Sequence, residues 1–226
     1  MSKQQLKTAF SASLPVLFGY LTLGIGYGLY MQNLGFAWWY STLMAATIYG
    51  GSVEFIIANM LTEHFQPLTV LLITFVVSFR QIFYSIAFLD KYQAKGIKKF
   101  IQIFSLSDET FAVNYFLNPA PADAQNIYTM VSLLDWCYWV VGATCGSVFG
   151  TALHLQIKGL DFIMTALFIV LAIDQFKKSK RKLSSVSGLV ITIICLLLFG
   201  TTYFLIAALL LLALEYIFIY KKEAQA

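Results

Sequence analysis

The sequence predicts an all-α polytopic membrane protein with about seven or eight hydrophobic helices, some of them discontinuous. Three observations point there. The 226 residues are 59% hydrophobic and only 12% charged, about half the charge of an ordinary soluble domain. Long stretches carry no charge: Thr8 to Val53 contains no Asp, Glu, Lys, Arg or His, and uncharged apolar helices of such length are stable in lipid. Fourteen of the fifteen lysines and arginines lie in termini or short loops, the pattern of a cytoplasmic membrane face rather than of a nucleic-acid surface.

The apolar stretches run over 14–30, 37–60, 67–89, 100–117, 127–153, 160–175 and 184–220. The N-terminal MSKQQLKTAF has two lysines ahead of an apolar run but no clear A-x-A cleavage site, so a retained first helix is expected. As one helix, 184–220 would be about 55 Å long, against an apolar bilayer core of about 30 Å. It contains Gly200-Thr201-Thr202 near its middle, so a helical hairpin is expected there. The chain reads as one integral membrane domain, 1–226, with a first half (10–90), a second half (100–176) and this C-terminal hairpin (184–220).

Lysine placement creates a conflict. The N-terminus, the loop 91–99 and the loop 177–182 should all face the cytoplasm, yet three apolar stretches separate each from the next. Three full crossings would put successive loops on opposite sides. Both conditions hold if one stretch in each half enters the membrane without crossing it. The candidates are 37–60, broken by Gly50-Gly51, 100–117, with Ser107-Asp108-Glu109 inside it, and 160–175, about 24 Å long as a helix. Discontinuous helices at corresponding positions of two halves mark secondary transporters. A three-residue echo, Gly51-Ser52-Val53 and Gly146-Ser147-Val148, is a weak pointer to an internal repeat. The alternative is that one lysine loop departs from the charge bias.

Gly24 and Gly28, and Gly142, Gly146 and Gly150, are spaced four apart. Such stripes let helix backbones approach closely, so these five are expected to pack helices. Gly50 and Gly51 are adjacent and weaken a helix instead. A helical piece starting near Ser52 would aim free N–H groups at the gap, suiting a substrate carboxylate; a kink filled by a neighbouring helix is the alternative. Glu54 is the first acid of the chain and Arg80 a cation about 13 Å from its segment's end. A buried charge needs a partner or a hydrated cavity. A Glu54–Arg80 pair satisfies both residues, and Arg80 as a fork for a carboxylate is the functional alternative. Ser107-Asp108-Glu109-Thr110 resembles a capped helix start. Its acids suit a proton relay or a substrate ammonium, and plain capping at an interface is the alternative.

Asp135, Asp161, Asp174, His64, His154 and Glu215 fall near segment ends, where interfacial hydration would account for them. Trp38, Trp39, Trp136 and Trp139 read as interface belts. Cys137, Cys145 and Cys195 lie in apolar segments and suggest neither disulfide nor metal site. No P-loop, HExxH or GxSxG is present, and no enzyme activity, cofactor or metal is expected.

In order, LPVLFGYLTLGIGYGL (14–29), YGGSVEF (49–55), VVSFRQIFYSIAF (76–88), LSDETFAV (106–113), LDWCYWVVGATCGSVFG (134–150) and GLDFIMTALFIVL (159–171) resemble the AzlC family, the large subunits of bacterial branched-chain amino acid exporters. The resemblance covers about residues 10–175. It implies a secondary transporter in the bacterial cytoplasmic (inner) membrane exporting leucine, isoleucine, valine and methionine, with a small, separate AzlD-type membrane subunit. The family pattern favours glutamine where this chain has Glu54.

Together these features lead to an expected proton-coupled exporter whose substrate contacts Gly50, Gly51, Ser52, Glu54, Phe55, Arg80 and Tyr84. Proton coupling would fall to Glu54, Asp108 or Glu109, because desolvation disfavours an ionised carboxyl. A channel-like or accessory pore protein without coupled transport is the alternative.

Overall fold

The computed structural model describes residues 2–62, 66–153, 169, 173, 176–177 and 182–224; the side chains of Val76 and Arg80 lie outside the described set. Among the described residues the chain forms nine helices and no strand. These are α1 (Lys3–Asn33), α2 (Trp38–Thr47), α3 (Ser52–Thr62), α4 (Pro67–Val77), α5 (Arg80–Ala87), α6 (Ile97–Phe104), α7 (Asp108–Phe116), α8 (Pro121–Ala152) and α9 (Lys182–Ala224). Two compact units divide at Met164 and Thr165.

The first unit is organised on two long parallel helices. α1 starts earlier than the apolar stretch suggests because Ser2 and Gln5 form a reciprocal capping box ahead of Lys3. α8 likewise starts at Pro121, whose missing N–H suits a first helical position. Contacts between them advance in step. Gln5 Nε2 donates to Asp123 at 2.5 Å, Ala9 packs with Ile127 and Val131, Gly24 meets Gly142 and Gly28 meets Gly146. Gly150 faces Leu29 and Gln32 at the far end. A Cβ on Gly28 would run into the Ala143 carbonyl and Ser147 N, and one on Gly146 into Ile25 backbone. The two glycine stripes therefore belong to one seam.

α2 and α3 form a helical hairpin entering from the C-terminal end of α1. α2 runs antiparallel to both long helices: Thr42 bonds Thr144 at 2.8 Å, while Ala46 O accepts from Trp136 Nε1 at 3.1 Å, nearer the middle of α8. The backbone leaves the helix at Ile48–Gly51, where Tyr49 has φ 48° and Gly51 φ 50°. α3 then runs back beside α1: Phe55 packs on Tyr27 and Tyr30, and Asn59 accepts from the Tyr30 hydroxyl at 2.6 Å.

α6 and α7 form the opposite hairpin, entering from the N-terminal end of α8. Ala94 N donates to Gln125 at 2.9 Å and Gln102 Nε2 to Thr129 at 3.0 Å, so α6 ascends parallel to α8. After the break at Ser105–Ser107, Thr110 bonds Asp135 and Asn114 approaches Ser132, and the Tyr128 hydroxyl reaches Leu117 O, so α7 descends again. α4 and α5 link the two ends. The expected continuous stretch 67–89 divides at Ser78-Phe79, where Gln81 and Ile82 donate to residues three before them.

Loop 91–99 consequently lies at the same end of the first unit as the N-terminus, although three apolar stretches intervene. Its lysines also terminate helices: Lys91 Nζ donates to Tyr115 O at 2.6 Å, at the end of α7. Stretches 37–60 and 100–117 are both broken hairpins. The echoed Gly-Ser-Val occupies different settings, a helix start at 51–53 and the last two turns of uninterrupted α8 at 146–148. Most of stretch 160–175 and most of 177–182 lie outside the described residues, as do His64, His154, Asp161 and Asp174.

By length and apolar composition, one helix among the described residues, α1, can cross a membrane by itself. The breaks at 48–51, 78–79 and 105–107 divide three other apolar stretches into shorter pieces. In the second unit, α9 contains non-helical backbone at Gly200, φ 64° and ψ −175°. A Cβ on Gly188 would lie 3.7 Å from Leu212, whereas residues 188 and 212 of a straight helix would be about 36 Å apart. The chain thus folds back on itself at Gly200.

Candidate functional site

The two hairpins meet tip to tip at mid-length of α1 and α8. From the α2–α3 tip come Tyr49, Gly50, Gly51 and Glu54; from the α6–α7 tip come Ser107, Glu109 and Thr110. α1 supplies Tyr20, and α8 supplies Asp135 and Trp139 one turn apart. The Tyr20 ring lies 6.3 Å from Tyr49 and 5.6 Å from Trp139, edge-on to both, and Tyr49 stacks on Phe104 at 6.4 Å.

Glu54 is fully buried, and its own helix explains its position. It is the third residue of α3, and its Oε1 reaches back to accept from Gly50 N at 2.9 Å and Gly51 N at 3.3 Å. This is the acidic half of a capping box, favoured by the positive end of the helix dipole. Trp139 Nε1 donates to the same oxygen at 3.0 Å. The N–H groups expected to await a substrate carboxylate are therefore occupied by a carboxylate of the chain itself. Oε2 makes no well-formed hydrogen bond, although the Tyr27 hydroxyl lies beside the carboxyl. Among the described residues the donors to Glu54 are backbone and indole N–H groups; Arg80, its expected partner, begins α5, and its side chain lies outside the described residues.

Ser52 and Phe55 are buried at the start of α3, with Phe55 5.1 Å from the Tyr27 ring. Tyr84 is elsewhere: it stacks on Phe111 of α7 at 4.4 Å, in the aromatic cluster of Phe88, Tyr92 and Tyr128. The expected substrate set 50–55 and Tyr84 thus occupies two clusters.

At the second tip Ser107 caps α7, its Oγ accepting from Thr110 N at 3.1 Å, with Asp108 and Glu109 in the first turn. Capping chemistry accounts for the SDET segment locally, but its position is internal rather than interfacial. Hydroxyls then form a directed chain. The Tyr20 hydroxyl, with its single proton, donates to Glu109 Oε2 at 2.7 Å and touches Ser107 Oγ at 2.7 Å; Ser107 donates to Thr110 Oγ1 at 3.0 Å; Thr110 donates to Asp135 Oδ2 at 2.8 Å.

Asp135 corrects its expected interfacial placement. It is fully exposed to nothing but protein, 0% accessible, because α8 begins six residues before the apolar stretch and puts Asp135 near its centre. Trp139 is buried and Trp136 bonds a backbone carbonyl of α2, so neither belongs to an interface belt; Trp38 and Trp39 are exposed. The signal that could have found Asp135 is its spacing: 128, 131, 132, 135, 138, 139 and 142 trace one buried face of α8.

Among the described residues no group of His, Cys, Asp and Glu is arranged to hold a metal ion.

Comparison with known proteins agrees with this architecture's membrane character. A Bacillus subtilis protein named branched-chain amino acid transport protein AzlC is 43% identical over 205 residues, covering 90% of this chain and 81% of that protein. A Haemophilus influenzae membrane protein is 47% identical over 206 residues, covering 90% and 84%. The Escherichia coli inner membrane protein YgaZ is 24% identical over 186 residues, covering 79% and 76%. No solved structure matches the chain. The AzlC protein family matches residues 15–153, across both hairpins and both long helices. The chain is a member of the AzlC family.

Proposed function

We propose that the protein is a secondary transporter that exports branched-chain and related apolar amino acids (leucine, isoleucine, valine and methionine) across the cytoplasmic membrane, coupled to protons. The observation that carries the proposal is the tip-to-tip meeting of two helical hairpins entering from opposite ends. Broken helices at mid-depth give a substrate polar backbone and side-chain partners without exposing them to lipid. The name of the 43%-identical relative supports the branched-chain part of this substrate range.

In this scheme Arg80 receives the substrate carboxylate as a bidentate fork. The apolar side chain packs on the aromatic groups around Phe55, Tyr27 and Trp139. Glu54, with Glu109 and Asp108 across the junction, carries the proton step. The N-terminal lysines and loop 91–99 face the cytoplasm. A small AzlD-type membrane subunit completes the exporter.

Reconstituted vesicles test the proposal. Radiolabelled leucine should accumulate against its gradient when a proton gradient is imposed, and a protonophore should abolish accumulation. Equilibration without accumulation would refute coupled transport and leave a channel-like pore.

A further inference from the structure

The acids of the junction differ in what surrounds them. Glu54 is met by N–H donors, two from backbone and one from indole, which compensate a negative charge. Asp135 has one donor, the Thr110 hydroxyl on Oδ2, and its Oδ1 is buried without a partner. The hydroxyl chain Ser107–Thr110 ends on Oδ2 and fixes the orientation of the carboxyl, leaving Oδ1 without a donor.

A second unpartnered group faces the same place. The Tyr49 side chain is 7% accessible, and its hydroxyl makes no well-formed hydrogen bond although Tyr20, Ser107, Thr110 and Asp135 lie around it. Tyr49 is also the one non-glycine residue with positive φ among the described residues. A bulky residue held in that strained region persists where the surrounding structure requires it, a condition common at ligand sites. Buried polar atoms are almost always paired, so two orphans facing one another's surroundings imply an absent donor. An ammonium is the donor that fits: it has three N–H groups and no acceptor.

We propose that Asp135 Oδ1 and the Tyr49 hydroxyl form the pocket that receives the α-ammonium of the transported amino acid, with Thr110 positioning the carboxyl. This deepens the transporter proposal and rests on it for the amino-acid substrate. It moves the ammonium from the acids of the 107–110 segment to a residue of α8.

Binding to the purified full-length protein in nanodiscs, measured calorimetrically, tests it with three probes. These are L-leucine, 3-methylbutylamine (no carboxylate) and 4-methylpentanoate (no ammonium). Asp135→Asn should weaken leucine and the amine about ten- to a hundredfold, the range for a lost charge-assisted bond, and leave 4-methylpentanoate unchanged. Tyr49→Phe should weaken the same two probes roughly two- to tenfold. Its melting temperature should hold, because the hydroxyl it deletes makes no well-formed hydrogen bond. Should Asp135→Asn fail to fold, Tyr49→Phe decides the matter. Wild-type affinity for leucine in both variants, or an equal loss for 4-methylpentanoate, would overturn the pocket while leaving the transporter proposal standing. If the wild type binds the amine through Asp135 but ignores leucine, the pocket stands and the amino-acid reading fails.

Discussion

Replacing Glu54 by alanine removes one carboxyl and strands three buried donors, Gly50 N, Gly51 N and Trp139 Nε1. A buried donor left unsatisfied costs about 1–3 kcal/mol. Two of the three bonds, at 2.9 and 3.0 Å, are well formed, and the third, at 3.3 Å, is weaker. Allowing the tip to rearrange, the expected loss is about 3–5 kcal/mol. Glutamine behaves differently. Its Oε1 can accept all three bonds, and its Nε2, a new buried donor, can use the Tyr27 hydroxyl that lies beside the carboxyl. Glu54→Gln should therefore stay within about 1 kcal/mol of wild type.

The assay is thermal unfolding of detergent-purified protein followed by tryptophan fluorescence, alongside leucine accumulation in vesicles. At about 2–4 °C per kcal/mol, Glu54→Ala should melt roughly 6–20 °C lower and Glu54→Gln within about 4 °C. With the fold preserved, loss of accumulation in Glu54→Gln would isolate the titratable proton as Glu54's contribution to transport. If Glu54→Gln melts as low as Glu54→Ala, the acceptor-geometry account of the tip is wrong and the negative charge itself holds the junction.

Three further outcomes follow from the same structure. Gly28→Ala and Gly146→Ala place a Cβ against backbone atoms of the facing helix, so each should destabilise by about 1–3 kcal/mol; Gly19→Ala, with open space around it, should be neutral or stabilising, and equal melting of all three would refute the seam. Ser107→Ala removes the α7 cap and should cost about 1 kcal/mol of stability, read as a lowered melting temperature. With Cys137, Cys145 and Cys195 replaced, single cysteines at Lys3 and Lys95 should react with an impermeant maleimide from one side of the membrane and one at Ala37 from the other; labelling of 3 and 95 from opposite sides would exclude the α6–α7 hairpin.

Much of the local structure was legible because its causes are local. Adjacent Gly50 and Gly51 interrupt a helix wherever they occur, Ser107 followed by two acids starts one, and Gly200 breaks an apolar run too long to remain straight. The lysine conflict also had real content: the N-terminus and 91–99 do share one end of the first unit. The unforeseen break at Ser78-Phe79 has no glycine or proline to announce it. The charge of Glu54 suggested a distant cation, Arg80, whose side chain lies outside the described residues, while its place three residues into a helix also makes the preceding N–H groups its partners.

The sequence by itself determined that the chain is helical and membrane-embedded, where its helices break, and which glycines leave bare stripes, since each follows from composition, backbone freedom or short-range spacing. Only the tertiary structure decided that the two stripes face each other in parallel, that the two hairpins enter from opposite ends, and that Asp135 ends a hydroxyl chain beside Tyr49. Those relations join residues as far apart as Tyr20 and Glu109. Their partners are chosen by packing between distant segments, to which no local rule of spacing or propensity gives access.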